Sequence, residues 1–193
     1  MPTILRIKVE LEHIAPAIWR RIEVPSEASF WDLHVAIQDA MGWEDRHLHA
    51  FEFGDPGDRQ LRLGLPDPDG WENITAGWRR KVRRLLAHPG DTCLYRYDYG
   101  DDWEHAVLLE GILLADPDQR YPRCIAGERR CPPEDCGGPP GYADLLAALA
   151  DPDDPEHAST VAWTGGRFDP EEFDPARVVF DDPGRRRAML EWG

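Results

Sequence analysis

Positive charge is what this 193-residue chain has least of: 22 Lys and Arg stand against 37 Asp and Glu, a net charge of −15. A duplex-binding protein gains affinity by neutralising phosphates, so a chain this acidic is repelled overall and nucleic acid is not the expected partner. Long apolar runs are missing too. None approaches the roughly 20 residues that a membrane helix needs. The first stretch, MPTILRIKVELEH, alternates charge with apolar residues where a signal peptide would be unbroken and apolar. The expectation is a cytoplasmic protein without membrane contact. Cysteine is sparse at four, and in a reducing compartment clustered thiols favour metal over disulfide.

Against these absences stands ample material for a core. Hydrophobic residues make up 41% and eight residues are tryptophan, which excludes wholesale disorder. Glycine and proline number 17 and 18, so long ordered loops should separate short elements. ILRIKVEL (4–11) alternates apolar and polar side chains as a half-buried strand does, and IWRRIEV repeats the alternation up to Pro25. The short connection predicts an antiparallel hairpin. Phe30, Leu33, Ile37, Ala40 and Met41 recur at helical spacing, with Ser29 and Asp32 set as a capping box and Gly42 as terminator. HLHAFEFGD reads as a strand with His47, His49, Phe51 and Phe53 on one face. The order strand, strand, helix, strand predicts an α+β fold, a mixed or antiparallel sheet covered by helices. One domain should span 1–180, followed by a short tail, 181–193.

Beyond this unit, residues 54–73 read as a loop and WRRKVRRLLAH (78–88) as a helix buried through Trp78, Val82, Leu85 and Leu86. Its Arg79, Arg80, Lys81, Arg83 and Arg84 read as a solvated face in preference to a nucleic-acid contact. CLYRYDYGDDWEHAVLLEGILL reads as two strands, 93–99 and 104–114, around a tight turn. A loop over 117–140 carries the cysteines. GYADLLAALAD forms a short helix, a second follows near 155–163, and the tail mixes turns, a last strand and a mobile arginine-bearing end. Trp19, Trp31, Trp43, Trp103 and Trp163 flank core elements and read as packing. His13, His34, His88 and His157 carry no signal.

Cys124, Cys131 and Cys136 fall within thirteen positions, braced by Pro132, Pro133, Gly137 and Gly138. Zinc takes four ligands, usually thiolates and imidazoles. The expected set is Cys124, Cys131, Cys136 and His105, with His49 as the alternative fourth ligand. Asp101 is placed to accept a ring proton from a neighbouring histidine, as carboxylates beside metal sites do. Arg129 and Arg130 would offset thiolate charge. The spacing is looser than paired C-x-x-C knuckles, and other readings stay open. One or more thiols pack in the core, as Cys93 does in its strand. Cys136 beside the Gly137 and Gly138 amides could act as a nucleophile, with His105 as base and Asp101 or Asp102 as its orienter. A metal on three ligands could instead work with Glu134 or Asp135 as base. Asp98 reads as turn punctuation, and one of His47 and His49 as a hydrogen-bonded core histidine.

IWRRIEVP, LHVAIQDAMGW, HLHAFEF, YDYGDDWEH and CPPEDCGGPPGY occur in this order. In these strings the chain resembles the plasmid pRiA4b open-reading-frame-three-like family, also labelled transposon passenger proteins of TnpR type, over roughly residues 4–180. The resemblance implies an α+β fold and no assigned activity. The resolvase label conflicts with the residues. A serine resolvase needs an activated serine, arginines at the scissile phosphate and a basic DNA-binding module. Here the serines are Ser26, Ser29 and Ser159, each placed as a cap or turn residue. The leading expectation is a binding or interaction module with a zinc-stabilised cysteine loop, its partner a protein or small molecule. A metal- or cysteine-dependent hydrolase is the first alternative, and an accessory nucleic-acid protein of mobile elements the second.

Overall fold

The two alternating runs form an antiparallel hairpin, β1 (Thr3–Leu11) and β2 (Ile18–Pro25), with Ile7 opposite Ile22. Alternation sends Leu5, Ile7, Val9 and Leu11 of β1 into the core. The computed structural model describes residues 1–54, 61–66 and 73–190. Next comes α1 (Phe30–Met41), whose start carries the expected capping box: Ser29 Oγ accepts from Asp32 N, and Asp32 accepts from Ser29 N at 2.7 Å. Gly42 ends it at φ 87°, a conformation that a side chain would strain. Burying Phe30, Leu33 and Ile37 against the sheet stabilises by about 1.5–3 kcal/mol each.

The remaining strands are β3 (His49–Phe53), β4 (Leu61–Gly64), β5 (Ile74–Ala76), β6 (Thr92–Tyr97), β7 (Trp103–Leu114) and β8 (Arg123–Glu128). The sheet order is β5-β4-β3-β6-β7-β1-β2-β8, antiparallel except for the β4–β5 pair. Three helices follow, α2 (Gly138–Ala150), α3 (His157–Trp163) and α4 (Pro183–Leu190). This is the α+β class that the opening order of elements implies. No helix among the described residues is long and apolar enough to cross a membrane.

Four local expectations change. The loop expected over 54–73 contains β4, and its parts 55–60 and 67–72 lie outside the described residues. The helix expected over 78–88 is a pair of single 3-10 turns, Gly77–Arg79 and Val82–Arg84. Between the two turns its backbone bonds the entry to α1: Phe30 N donates to the Arg80 carbonyl and Val82 N to the Ala28 carbonyl. The cysteine loop contains β8, so Cys124 is a strand residue opposite Ile22. The tail forms no strand among the described residues. Its Val178 and Phe180 pack on the core without a strand partner, and α4 docks on α1 through Arg186 and Asp39, 2.7 Å apart.

Candidate functional site

Three of the distinctive strings meet at one end of the central strands. His47 stands just before β3, Asp98 opens the turn from β6 to β7, and the segment after β8 brings in Glu134 and Asp135. Asp98 sits at φ 55°, in the left-handed region that Asp tolerates because its side chain bonds nearby amides. Its Oδ1 accepts from Gly100 N at 2.9 Å, the turn role expected of it. Its Oδ2 faces His47 Nε2 at 3.5 Å. Asp135 Oδ1 lies 2.9 Å from the same nitrogen, and Glu134 Oε2 3.8 Å.

His47 Nε2 is shielded from water, yet none of these contacts has the direction of a hydrogen bond. Three carboxylates this close repel one another, and a cation among them removes that cost. One imidazole nitrogen with several carboxylate oxygens is a donor set for a divalent ion. The Asp135 side chain is 57% exposed, so the cluster opens to solvent there. A groove of about 520 Å³ starts at Asp135 and Cys136 and runs between α2 and α3 to the exposed Trp163.

The cysteine segment is held to this place by several links. Tyr97 donates its hydroxyl to Glu134 at 3.0 Å, and Glu44 N donates to Glu134 at 2.8 Å. Trp43 Nε1 donates to the Pro132 carbonyl at 2.9 Å. Asp101 accepts from Gly137 N at 3.0 Å, so its carboxylate serves the loop backbone and not an imidazole. The strings YDYGDDWEH and CPPEDCGGPPGY therefore adjoin.

A second cluster lies deeper. His34 in α1, Asp45 in the segment after it and His49 in β3 converge under Trp31. His34 Nε2 is 2.8 Å from Asp45 Oδ1, and its Nδ1 is 2.8 Å from the Tyr95 hydroxyl. The His34 and His49 rings stack with centroids 3.4 Å apart and planes 7° from parallel. Burial holds both imidazoles well below their ordinary range, so both are neutral at pH 7. Burial also raises the Asp45 carboxyl, to about 6. His34 gave no signal in the sequence. The one available clue was polar His34 and Gln38, four apart, on a helix whose surroundings are apolar.

The four cysteines are free thiols. Burial raises Cys124 and Cys131, and the Arg20 guanidinium beside them only partly offsets it. Arg20 is itself buried, bonded to the Ala40 and Glu128 carbonyls and lying 3.6 Å from the centre of the Phe173 ring. Burial, with Asp101 and Asp135 adding negative charge, pushes the Cys136 thiol up to about 12, opposite to the shift of an activated nucleophile. His105 is fully buried in β7, its Nδ1 3.2 Å from the Tyr95 carbonyl and its Nε2 without a partner. Among the described residues, two triads of metal-ligand type have donor atoms within 4.8 Å of one another: His34–Asp45–His49 and His47–Asp98–Asp135. Neither contains a cysteine or His105, and His49 belongs to the deeper one.

The fold recurs in a solved structure. The crystal structure titled Protein of Unknown Function MM3350 from Methanosarcina mazei Go1 is similar at a TM-score of 0.83 and 40% identity, covering 93% of this chain and 99% of that one. Uncharacterized protein y4hQ of Sinorhizobium fredii (strain NBRC 101917 / NGR234) is 37% identical over 179 residues, 92% of this chain and 87% of its own. Residues 3–177 match the family described as Plasmid pRiA4b ORF-3-like protein. The five strings that carry the resemblance, the sheet order and these matches agree, and the chain belongs to the plasmid pRiA4b ORF-3-like family.

Proposed function

We propose that this protein is a divalent-cation-binding module whose ion sits among His47 Nε2, Asp98 Oδ2 and Asp135 Oδ1, with Glu134 at its edge. One observation carries the reading: a shielded imidazole nitrogen faces three carboxylates without a directed hydrogen bond to any of them. Oxygen-rich sites suit Mn²⁺ or Mg²⁺ better than an ion that seeks thiolates. The cysteine segment then serves as scaffold, and its backbone links to Asp101 and Trp43 present Glu134 and Asp135. Zinc held by Cys124, Cys131 and Cys136 with His105 or His49 is the competing proposal.

Calorimetric titration of the full chain with Mn²⁺ tests the reading. The wild type is expected to bind about one ion, and His47→Ala to lose it while Cys131→Ser keeps it. Loss on Cys131→Ser alone would move the ion to the thiols, and no binding to any form would end the proposal.

A hydrolase is the second reading, favoured by the groove that begins at the exposed ligand Asp135. An ion open on that side can carry a water, with Glu134 placed as its base. Mn²⁺-dependent cleavage of a phosphoester or ester, abolished by His47→Ala, would support it. The groove is also the natural seat for a small-molecule partner. We keep the cytoplasm as the compartment, which four free thiols suit. An accessory role on nucleic acid at mobile elements is less favoured, given the net charge of −15 and the pairing of Arg83 with Glu27 at 3.0 Å.

A further inference from the structure

Independently of the His47 cluster, we infer that His34, Asp45 and His49 form a second, closed site for a zinc-class metal ion. The feature that points to a ligand is His49. Its side chain is 1% exposed, and neither ring nitrogen has a hydrogen-bond partner. Native interiors rarely leave a buried polar group in that state, because the lost hydration is not repaid. A metal ion repays it at one of the two nitrogens, since the unprotonated nitrogen of a neutral imidazole is a ligand. Donor atoms of His49, His34 and Asp45 lie within 4.8 Å of one another.

The surroundings prepare His34 for the same role. The Tyr95 hydroxyl oxygen, 2.8 Å from His34 Nδ1, can accept a proton there, which is the tautomer that frees Nε2. Gln38 completes the chain: its amide lies 2.9 Å from the same hydroxyl and its Oε1 is unpartnered, so with the amide turned over Oε1 accepts the Tyr95 proton. His34 Nε2 and Asp45 Oδ1 are 2.8 Å apart. Two ligands on a tetrahedral zinc are about 3.3 Å apart for bonds of about 2.0–2.1 Å, so this pair needs to part by only about half an ångström. The His34 and His49 rings stack with centroids 3.4 Å apart and planes 7° from parallel, so loading requires one ring to turn out of the stack and aim its in-plane lone pair at the ion.

Donor type selects the metal. Two imidazoles and one carboxylate suit Zn²⁺, and are too nitrogen-rich for Mg²⁺ or Ca²⁺. The site is closed by Trp31 and by α4, whose Pro183 carbonyl accepts from Trp31 Nε1 at 2.7 Å. Arg186 of α4 stands 3.8 Å from the second oxygen of Asp45. Its charge is already met by Asp39 and Asp181, at 2.7 and 2.5 Å, so it does not bar a second cation. A closed centre that ties α1, β3 and the segment between them has a structural role, unlike the solvent-facing cluster at His47.

The test uses the full chain carrying His47→Ala, which silences the open cluster. The protein is stripped with a chelator and titrated with Zn²⁺, following stoichiometry and thermal midpoint. About one Zn²⁺ per chain and a raised midpoint are expected. Adding His49→Leu should lower Zn²⁺ affinity about a hundredfold or more and remove the rise in midpoint. Should the leucine variant fail to fold, Asp45→Asn keeps shape and hydrogen bonding and should still weaken Zn²⁺ at least about tenfold. Absence of Zn²⁺ binding in the His47→Ala chain overturns the inference, and so does binding that neither substitution weakens. A metal-free His49→Leu chain more stable than its parent, with no response of either to Zn²⁺, would mark the stack as an unligated polar pair.

Discussion

Tyr97 donates its hydroxyl to Glu134 at 3.0 Å, joining the last residue of β6 to the segment that follows β8. The same oxygen accepts from Arg46 N at 3.0 Å, and the Trp43 ring stacks on the phenol at 5.0 Å between centroids. Tyr97→Phe keeps the stacked ring and deletes the link. The expected cost is about 1 kcal/mol in urea unfolding. Mn²⁺ affinity should fall about tenfold, because Glu134 is no longer oriented. Unchanged Mn²⁺ affinity would remove Glu134 from the site.

Asp98 has two separable roles, one for each carboxylate oxygen. Asn tolerates the same left-handed backbone and can still accept from Gly100 N, so Asp98→Asn should change stability by no more than about 0.5 kcal/mol. Loss of the charge facing His47 should nonetheless weaken Mn²⁺ about a hundredfold. The check is a pair of measurements on one variant, urea midpoint and ion titration. A large loss of stability with unchanged affinity would reduce Asp98 to a turn residue.

Glu23 sets an acid limit on stability. It is buried in β2 and accepts from Arg6 at 2.8 Å and from Arg123 at 2.7 Å. Burial alone would raise its carboxyl, but the hydrogen bonds from the two arginines overcome that and hold it below the ordinary value. A carboxyl lowered on folding contributes stability that is complete above its unfolded value of about 4.3 and is lost as pH falls through the lowered one. Glu23→Gln should therefore cost about 1–2 kcal/mol at pH 7, with the gap to wild type narrowing below about pH 4. Urea midpoints of both proteins across that range decide it, and a gap that widens in acid would contradict the assignment.

Gly138 begins α2 at φ 68°, with its α-carbon against the Asp101 carbonyl, where a Cβ would collide. Gly138→Ala meets both the strained backbone and the collision. A loss of about 1–3 kcal/mol is expected by thermal unfolding. Because the collision pushes the loop from the β6–β7 turn, Mn²⁺ affinity should fall with it. Full stability in the alanine variant would mean that this joint is loose.

The parts of the fold that were legible are those whose physics is local. Alternation in β1 and β2, and the Ser29–Asp32 cap with its Gly42 stop, depend on neighbours within a few positions, so pattern reading finds them. β4 was hidden because Leu61–Gly64 is four residues in a stretch rich in Gly, Pro and Asp, and only its pairing with β3 and β5 makes it a strand. Residues 78–88 have helical apolar spacing, yet the Arg80 carbonyl and the Val82 amide are taken by Phe30 and Ala28, which splits the run into two short turns. Around the candidate site, the expected contact between YDYGDDWEH and CPPEDCGGPPGY is present, while Glu134 and Asp135 were read as bases and Asp98 as a turn residue. The sequence did not mark His34, whose partner Tyr95 lies sixty-one positions away. The cysteines drew attention because sulfur clusters are visible in sequence, whereas carboxylates scattered among 37 acids are not.

β1 occupies an interior place in the sheet, between β2 and β7, with Thr3 opposite Leu114. On a ribosome, β2 emerges soon after β1, but β7 follows roughly ninety residues behind. Throughout that interval the newborn hairpin carries an open flank of amides and carbonyls, a template for any passing strand. The pace of translation up to Leu114 thus sets how long each nascent chain stays adhesive. Synonymous codons that slow that stretch should lower soluble yield without altering a single amino acid.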